Sequence, residues 1–146
     1  MRVAVNQTRS YRINKSFINK LFTVISKVMP RFATYEISVA FIDNAEIKKL
    51  NYRYRKKNKP TDVLSFAERD SNDKISDRRF LGEIVVAYPY ARQQARRNHR
   101  TLRQELIILL THGFLHLAGY DHIKLSDRLR MQRAEKRILD NFPLKK

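Results

Sequence analysis

The chain has 146 residues, 42% of them hydrophobic and none of them cysteine. That suits one globular domain over residues 1–146, burying about two-thirds of the surface its unfolded form exposes, and it excludes disulfides and thiolate metal sites. The 31 Lys and Arg against 14 Asp and Glu give a formal net charge of +17, a field that attracts polyanions, nucleic acid first and anionic membrane second.

Residues 2 to 6 alternate through Val3 and Val5 and read as a short strand. Residues 14 to 28 place Phe17, Leu21, Ile25 and Val28 on one helical face, and Pro30 ends that helix. Six Lys or Arg precede Arg31 with no acid among them, a composition shared with organelle transit segments, but the strand and helix periodicities assign this stretch to the fold. Lys15, Lys20 and Lys27 interrupt any secretory signal, and the apolar run Leu106 to Leu110 is too short to span a bilayer. A cytoplasmic protein without a membrane segment is therefore expected.

YEISVAFI, 35 to 42, alternates and is rich in β-branched residues, so it is a strand. Asp43 with Glu46 three residues on forms a capping pattern, predicting a helix over about 44 to 54. DVLSFA at 62 to 67 and LGEIVVAY at 81 to 88 are two more strands, with RDSNDKISD a loop or hairpin connection between them. From about residue 90 a basic helical stretch leads into the strongest helix, roughly Leu102 to Ala118. A last amphipathic helix, about 126 to 140, turns Leu129, Ala134 and Ile138 inward. The order β-α-β-α-β-β-α-α predicts an α+β domain, a mixed sheet of about four strands packed on helices.

The charge is clustered. Arg53, Arg55, Lys56, Lys57 and Lys59 crowd one stretch and Arg92, Arg96, Arg97, Arg100 and Arg103 another, while six of the fourteen acids lie between Asp62 and Glu83.

THGFLHLAGYDH, 111 to 122, holds three of the four histidines. Residues four apart on a helix lie one above the other, so His112 and His116 reach a common point. Gly119 can take the left-handed conformation that ends a helix and turns the chain back, bringing His122 toward the pair. Three neutral imidazoles with one open position is the arrangement of catalytic zinc; nickel or iron could use the same donors. Asp121 either orients a ligand imidazole through its second nitrogen or caps the turn. His99 has no such partners and reads as a surface or RNA-facing residue. The H-x-x-x-H-x-x-G-x-x-H spacing is that of the metzincin peptidases, which place a glutamate general base directly after the first histidine. Here that residue is Gly113, which cannot accept a proton.

HGFLHLAGYDH resembles the signature of the YbeY family, the bacterial ribosomal-RNA maturation endoribonucleases. YRKKNKPTDVLSF, 54 to 66, and LGEIVV, 81 to 86, resemble that family's other two characteristic stretches, with Asn58, Ala67 and Glu83 departing from its usual residues. The resemblance covers about residues 35 to 125. It implies a zincin-like fold whose metal-binding helix lies near the C-terminus, with one Zn2+ on His112, His116 and His122. It also implies cleavage of single-stranded RNA, maturation of the 3′ end of small-subunit (16S) ribosomal RNA, and ribosome quality control on the small ribosomal subunit. By the same match, Arg55 takes the place of the family's functionally important arginine, joining His112 and His116 as catalytic residues.

Three neutral ligands leave zinc its full double charge for polarising a phosphoryl oxygen, and a guanidinium fork matches phosphate oxygens. Arg53, Lys56, Lys57 and Lys59 would hold flanking phosphates. Tyr52 and Tyr54 either stack on unpaired bases or pack inward. Thr61, Asp62 and Ser65 shape the turn into the strand. The attacking group is either water or the RNA's own 2′-hydroxyl. Two rival readings are a non-catalytic, zinc-stabilised RNA-binding ribosome-assembly factor and a peptidase with an unusual base; Gly113 and the charge both argue against the second.

Overall fold

The computed structural model describes residues 1–70 and 79–142. Among them the chain runs β1 (Arg2–Gln7), α1 (Lys15–Val28), β2 (Glu36–Ile42), α2 (Asn44–Arg55), β3 (Val63–Ala67), β4 (Phe80–Ala87), α3 (Tyr88–Arg97), α4 (Leu102–Leu117) and α5 (Leu125–Asn141). The sheet order is β1-β2-β4-β3. β1 and β4 flank β2 in parallel, and β3 is the antiparallel edge strand on β4. The expected α+β class and four-stranded mixed sheet are both present. The polar connection expected between β3 and β4 falls largely on residues 71–78, outside the described residues; its first part, Glu68–Asp70, is a tight helical turn.

Local chemistry sets the helix boundaries. Asn14 accepts the Phe17 N–H at 3.2 Å to start α1, and Pro30 follows its end. At α2, Asp43 accepts the Glu46 N–H at 2.8 Å while Glu46 returns a carboxylate to the Asp43 N–H at 3.3 Å. The basic stretch expected to lead into α4 forms a helix of its own, α3, which makes five α-helices among the described residues. His99 takes a left-handed φ of 55°. Thr101 and Gln104 then close a second reciprocal cap, with bonds of 3.1 and 2.9 Å.

The β2 alternation buries Ile37, Val39 and Phe41, which join Ile84 and Val86 of β4 under α1, α4 and α5 in the main core. On the other face, Ile42, Leu64 and Val85 pack with Ile47 of α2 in a smaller cluster. In α5 the inward positions are Met131, Ala134 and Ile138. Leu129, expected inward, is 45% exposed, because it stands roughly 140–200° around the helix from those three. In β4, Leu81 is an extra residue: Glu36 pairs with Phe80 but Ile37 with Gly82. A Cβ on Gly82 would come within 2.3 Å of the Phe66 carbonyl oxygen, so this bulge requires glycine.

Candidate functional site

α4 is buried on most sides, and Ile107, Leu110, Phe114 and Leu115 are fully enclosed. His112 and His116 share its half-buried stripe. Just beyond, Gly119 has φ 101°, its N–H bonds to the His116 carbonyl at 3.1 Å, and the Tyr120 N–H bonds to the Leu115 carbonyl at 2.9 Å. This pair of bonds is a Schellman motif, and it requires the left-handed residue that only glycine adopts cheaply. The reversal carries the exposed His122 back over the helix end.

The His112 and His116 Nε2 atoms lie 3.0 Å apart. The His122 ring centroid is 5.2 Å from that of His116 and 6.1 Å from that of His112. Tetrahedral zinc with Zn–N distances of about 2.0–2.1 Å holds its nitrogens about 3.3 Å apart, so the helical pair already has a chelating separation. Among the described residues no three donors are grouped closely enough to hold a metal ion. The donor set of three imidazoles fits a transition metal.

Burial lowers the pKa of His112 despite a raising influence from Glu135. Burial, with the neighbouring His112 and His122, lowers His116 to about 4. Both rings are therefore neutral near pH 7, the form that ligates metal. In the unfolded chain a histidine titrates near its ordinary 6.5, so the unfolded state takes up the proton first as pH falls. Stability from neutral His116 is complete above about pH 6.5 and is lost as pH falls toward the folded value. For metal-free protein, the urea midpoint of wild type should fall more steeply than that of His116→Gln between about pH 7 and pH 4.5. Parallel curves would show that the ring is not held neutral by the fold.

The histidines stand in a cleft of about 930 Å³ whose wall also contains Arg55, Asp62, Ser65, Arg69, Arg100 and Glu105. Of the sequence-predicted basic residues, Arg55 joins the histidines. Arg53, Lys56, Lys57 and Lys59 are exposed and lie outside that wall. Arg55 ends α2, where Lys56 takes φ 59°, and the buried Asn51 anchors the loop that follows by donating to the Lys59 carbonyl at 2.8 Å. Tyr52 and Tyr54 do not pack inward: they are 57% and 55% exposed. Tyr54 rests edge-on against Phe66, with Arg53 over its ring.

Asp121 accepts the Ile123 N–H at 2.6 Å, which is the turn-capping alternative; among the described residues no hydrogen bond joins it to an imidazole. Asp62 accepts the Val63 N–H at 2.8 Å, as expected of a turn residue. It also takes part in a network that no local spacing in the sequence indicates. Gln94 Nε2 donates to Asp62 at 2.9 Å and to Glu105 at 2.7 Å, and Arg100 pairs with Glu105 at 3.2 Å. Glu105, whose side chain is 2% exposed, is thus a satisfied buried carboxylate. An acid immediately before the apolar run Leu106–Leu110 was its one sequence signal. Arg69 gave no such signal. Its guanidinium donates to the Leu117 and His116 carbonyls at 2.6 and 3.0 Å, neutralising the end of α4 where the histidines sit.

Gly113 faces away from the cleft. A Cβ there would meet Ile84 Cγ2 at 2.8 Å, so α4 lies against β4 at a distance that leaves no room for a side chain. The position that carries the peptidases' glutamate here points into the sheet.

Fold and site together define an α+β protein with a histidine-lined cleft inside a strongly basic surface. The chain belongs to the endoribonuclease YbeY family, a family of hydrolytic nucleases, which it matches over residues 3–143. The endoribonuclease YbeY of Oceanobacillus iheyensis is 42% identical over 113 residues, covering 73% of this chain and 73% of the relative. That of Bacillus thuringiensis is 39% identical over 115 residues, covering 75% and 74%. A Thermotoga maritima protein solved in solution shares the fold, with a TM-score of 0.60 at 23% identity over 96% of this chain and 91% of that one.

Proposed function

We propose that the chain is a single-strand-specific, zinc-dependent endoribonuclease that matures the 3′ end of 16S ribosomal RNA and serves ribosome quality control in the cytoplasm. The observation that carries this reading is that Arg55 and the three histidines line one cleft in a chain of net charge +17. Among the described residues no helix is long and apolar enough to cross a membrane, which is consistent with it.

His112, His116 and His122 would hold the zinc, with α4 as a zincin-like metal helix. A zinc ion bound there supplies Lewis-acid polarisation of a phosphoryl oxygen. Arg55 presents its planar fork to the same phosphate and stabilises the charge that grows in the transition state. Arg53, Lys56, Lys57 and Lys59 hold flanking phosphates and contribute affinity without sequence choice. Exposed Tyr52 and Tyr54 offer faces on which unpaired bases stack, which favours single strands. Gly113, enclosed by the sheet, leaves the peptidase reading without its base.

Metal content of the purified protein and a chelator-sensitive assay on single-stranded RNA, with product ends mapped, test the proposal. A 5′-phosphate end identifies water as nucleophile and a 2′,3′-cyclic phosphate the RNA's own hydroxyl. Arg55→Lys keeps the charge but loses the fork, so kcat/KM is expected to drop by about 10- to 100-fold, against little change for Arg53→Lys. Equal effects of the two substitutions would remove Arg55 from the reacting phosphate.

A further inference from the structure

α3 buries Tyr88, Ala91 and Ala95 and turns Arg92, Arg96 and Arg97 to solvent. Its sequence, YPYARQQARR, contains no acid, and among the described residues none of these three arginines has a carboxylate partner. Two of them gain from the helix dipole: Arg96 and Arg97 fall in the last turn, where a cation is favoured. Arg92 does not. It stands four residues before Arg96, a spacing at which like charges oppose helix formation. The strip therefore has a composition that local helix stability does not call for.

Its placement supplies a reason. Gln94 of α3 lines the cleft that holds the histidines and Arg55, and so do Asn98 and Arg100 just beyond its end. Arg100 is held at the rim by the buried Glu105. The C-terminal end of α3 thus borders the cleft, with Arg97 about 60° around the helix from Gln94 and Arg96 and Arg92 about 160° from it. An RNA strand leaving the cleft past Asn98 and Arg100 meets Arg97 first and reaches Arg96 and Arg92 by crossing the exposed face of α3. Arg92 and Arg96 are one helical turn apart, roughly 6 Å along the axis, a spacing that successive backbone phosphates can match.

We propose that the exposed face of α3, through Arg92, Arg96 and Arg97, is a second RNA-backbone surface that grips the strand outside the cleft. This rests on the endoribonuclease reading above and names the part of the substrate that the cleft does not hold. Phosphate contacts of this kind give affinity and position but carry no sequence choice, so the strip should favour long RNA over short RNA.

The test compares wild type with Arg92→Ala/Arg96→Ala/Arg97→Ala on two single-stranded RNAs, one of about six nucleotides, enough for the cleft, and one of about thirty. For the longer RNA the Kd should rise about tenfold or more, and the slope of log K against log salt should shrink by about 2, three phosphate contacts being lost. For the shorter one the Kd should move less than about threefold. The matching Arg→Lys triple variant should keep most of the wild-type salt slope, which separates charge from folding damage. An equal effect on both lengths, no effect on the longer RNA, or loss of binding confined to anionic phosphatidylserine vesicles would each overturn the strip. Failure of wild type to bind the short RNA would instead overturn the endoribonuclease reading.

Discussion

Replacing His112 by alanine is expected to lower RNA cleavage by about 100- to 1000-fold, the range lost when one preorganised group facing the transition-state charge is removed. RNA binding should change little, because affinity comes from the basic surface. The same substitution should abolish stabilisation by metal. On the proposed zinc site, free zinc at roughly 100 times its Kd should add about 2.7 kcal/mol to the folding of wild type, a Tm rise of about 5–10 °C for a chain of this size. His112→Ala leaves His116 without the partner whose Nε2 stands 3.0 Å away, and the Tm rise should vanish. Calorimetry with and without zinc, beside a cleavage and a binding assay, reads all three effects. Cleavage lost with the zinc-dependent Tm rise intact would mean that His112 acts in some way other than holding the metal. Cleavage retained without that rise would dissociate the metal from the reaction altogether.

The histidine arrangement was legible because a helix and its termination are local events. The i, i+4 spacing of His112 and His116 and the glycine three residues later specify one helical face and a reversal, and both formed. The Asp43–Glu46 box was legible for the same reason. The equivalent Thr101–Gln104 box marks the break between α3 and α4, where helical periodicity on both sides masks the interruption. Leu129 stands about 140–180° around α5 from Ala134 and Ile138, so helical periodicity itself places it off their buried face. Arg69 and the Gln94–Asp62–Glu105 network were out of reach for a different reason. They join residues 32 to 48 positions apart, or, for Gln94 and Glu105, two helices whose mutual placement only the assembled fold decides. The grouping of Arg55 with the histidines is likewise tertiary: it came from family resemblance, not from any spacing in the chain.

Gly113 is where the sequence raised a chemical question and packing answers it. Installing the peptidases' residue, Gly113→Glu, should yield no peptidase; it should cost about 4 kcal/mol or more, combining an uncompensated buried charge with overpacking. Against a total stability of about 5–15 kcal/mol, that removes roughly a quarter or more of the margin. Gly113→Ala isolates the steric part. The new Cβ would meet three carbons of Ile84 at 2.8 to 3.2 Å, a clash with the body of a branched side chain that cannot rotate away. Overpacking of about 1–3 kcal/mol outweighs the gain of up to about 1 kcal/mol in helix propensity. Net destabilisation is expected. Ile84→Ala removes those carbons, and although it is costly in itself at about 2–5 kcal/mol, it should reverse the sign of the second change. In that background Gly113→Ala should stabilise by up to about 1 kcal/mol, since only the helix-propensity term remains. Urea unfolding of the four proteins of this cycle reads the coupling directly. If Gly113→Ala has the same effect in both backgrounds, α4 does not rest on β4 at Ile84, and the glycine beside His112 must be explained by what happens in the cleft.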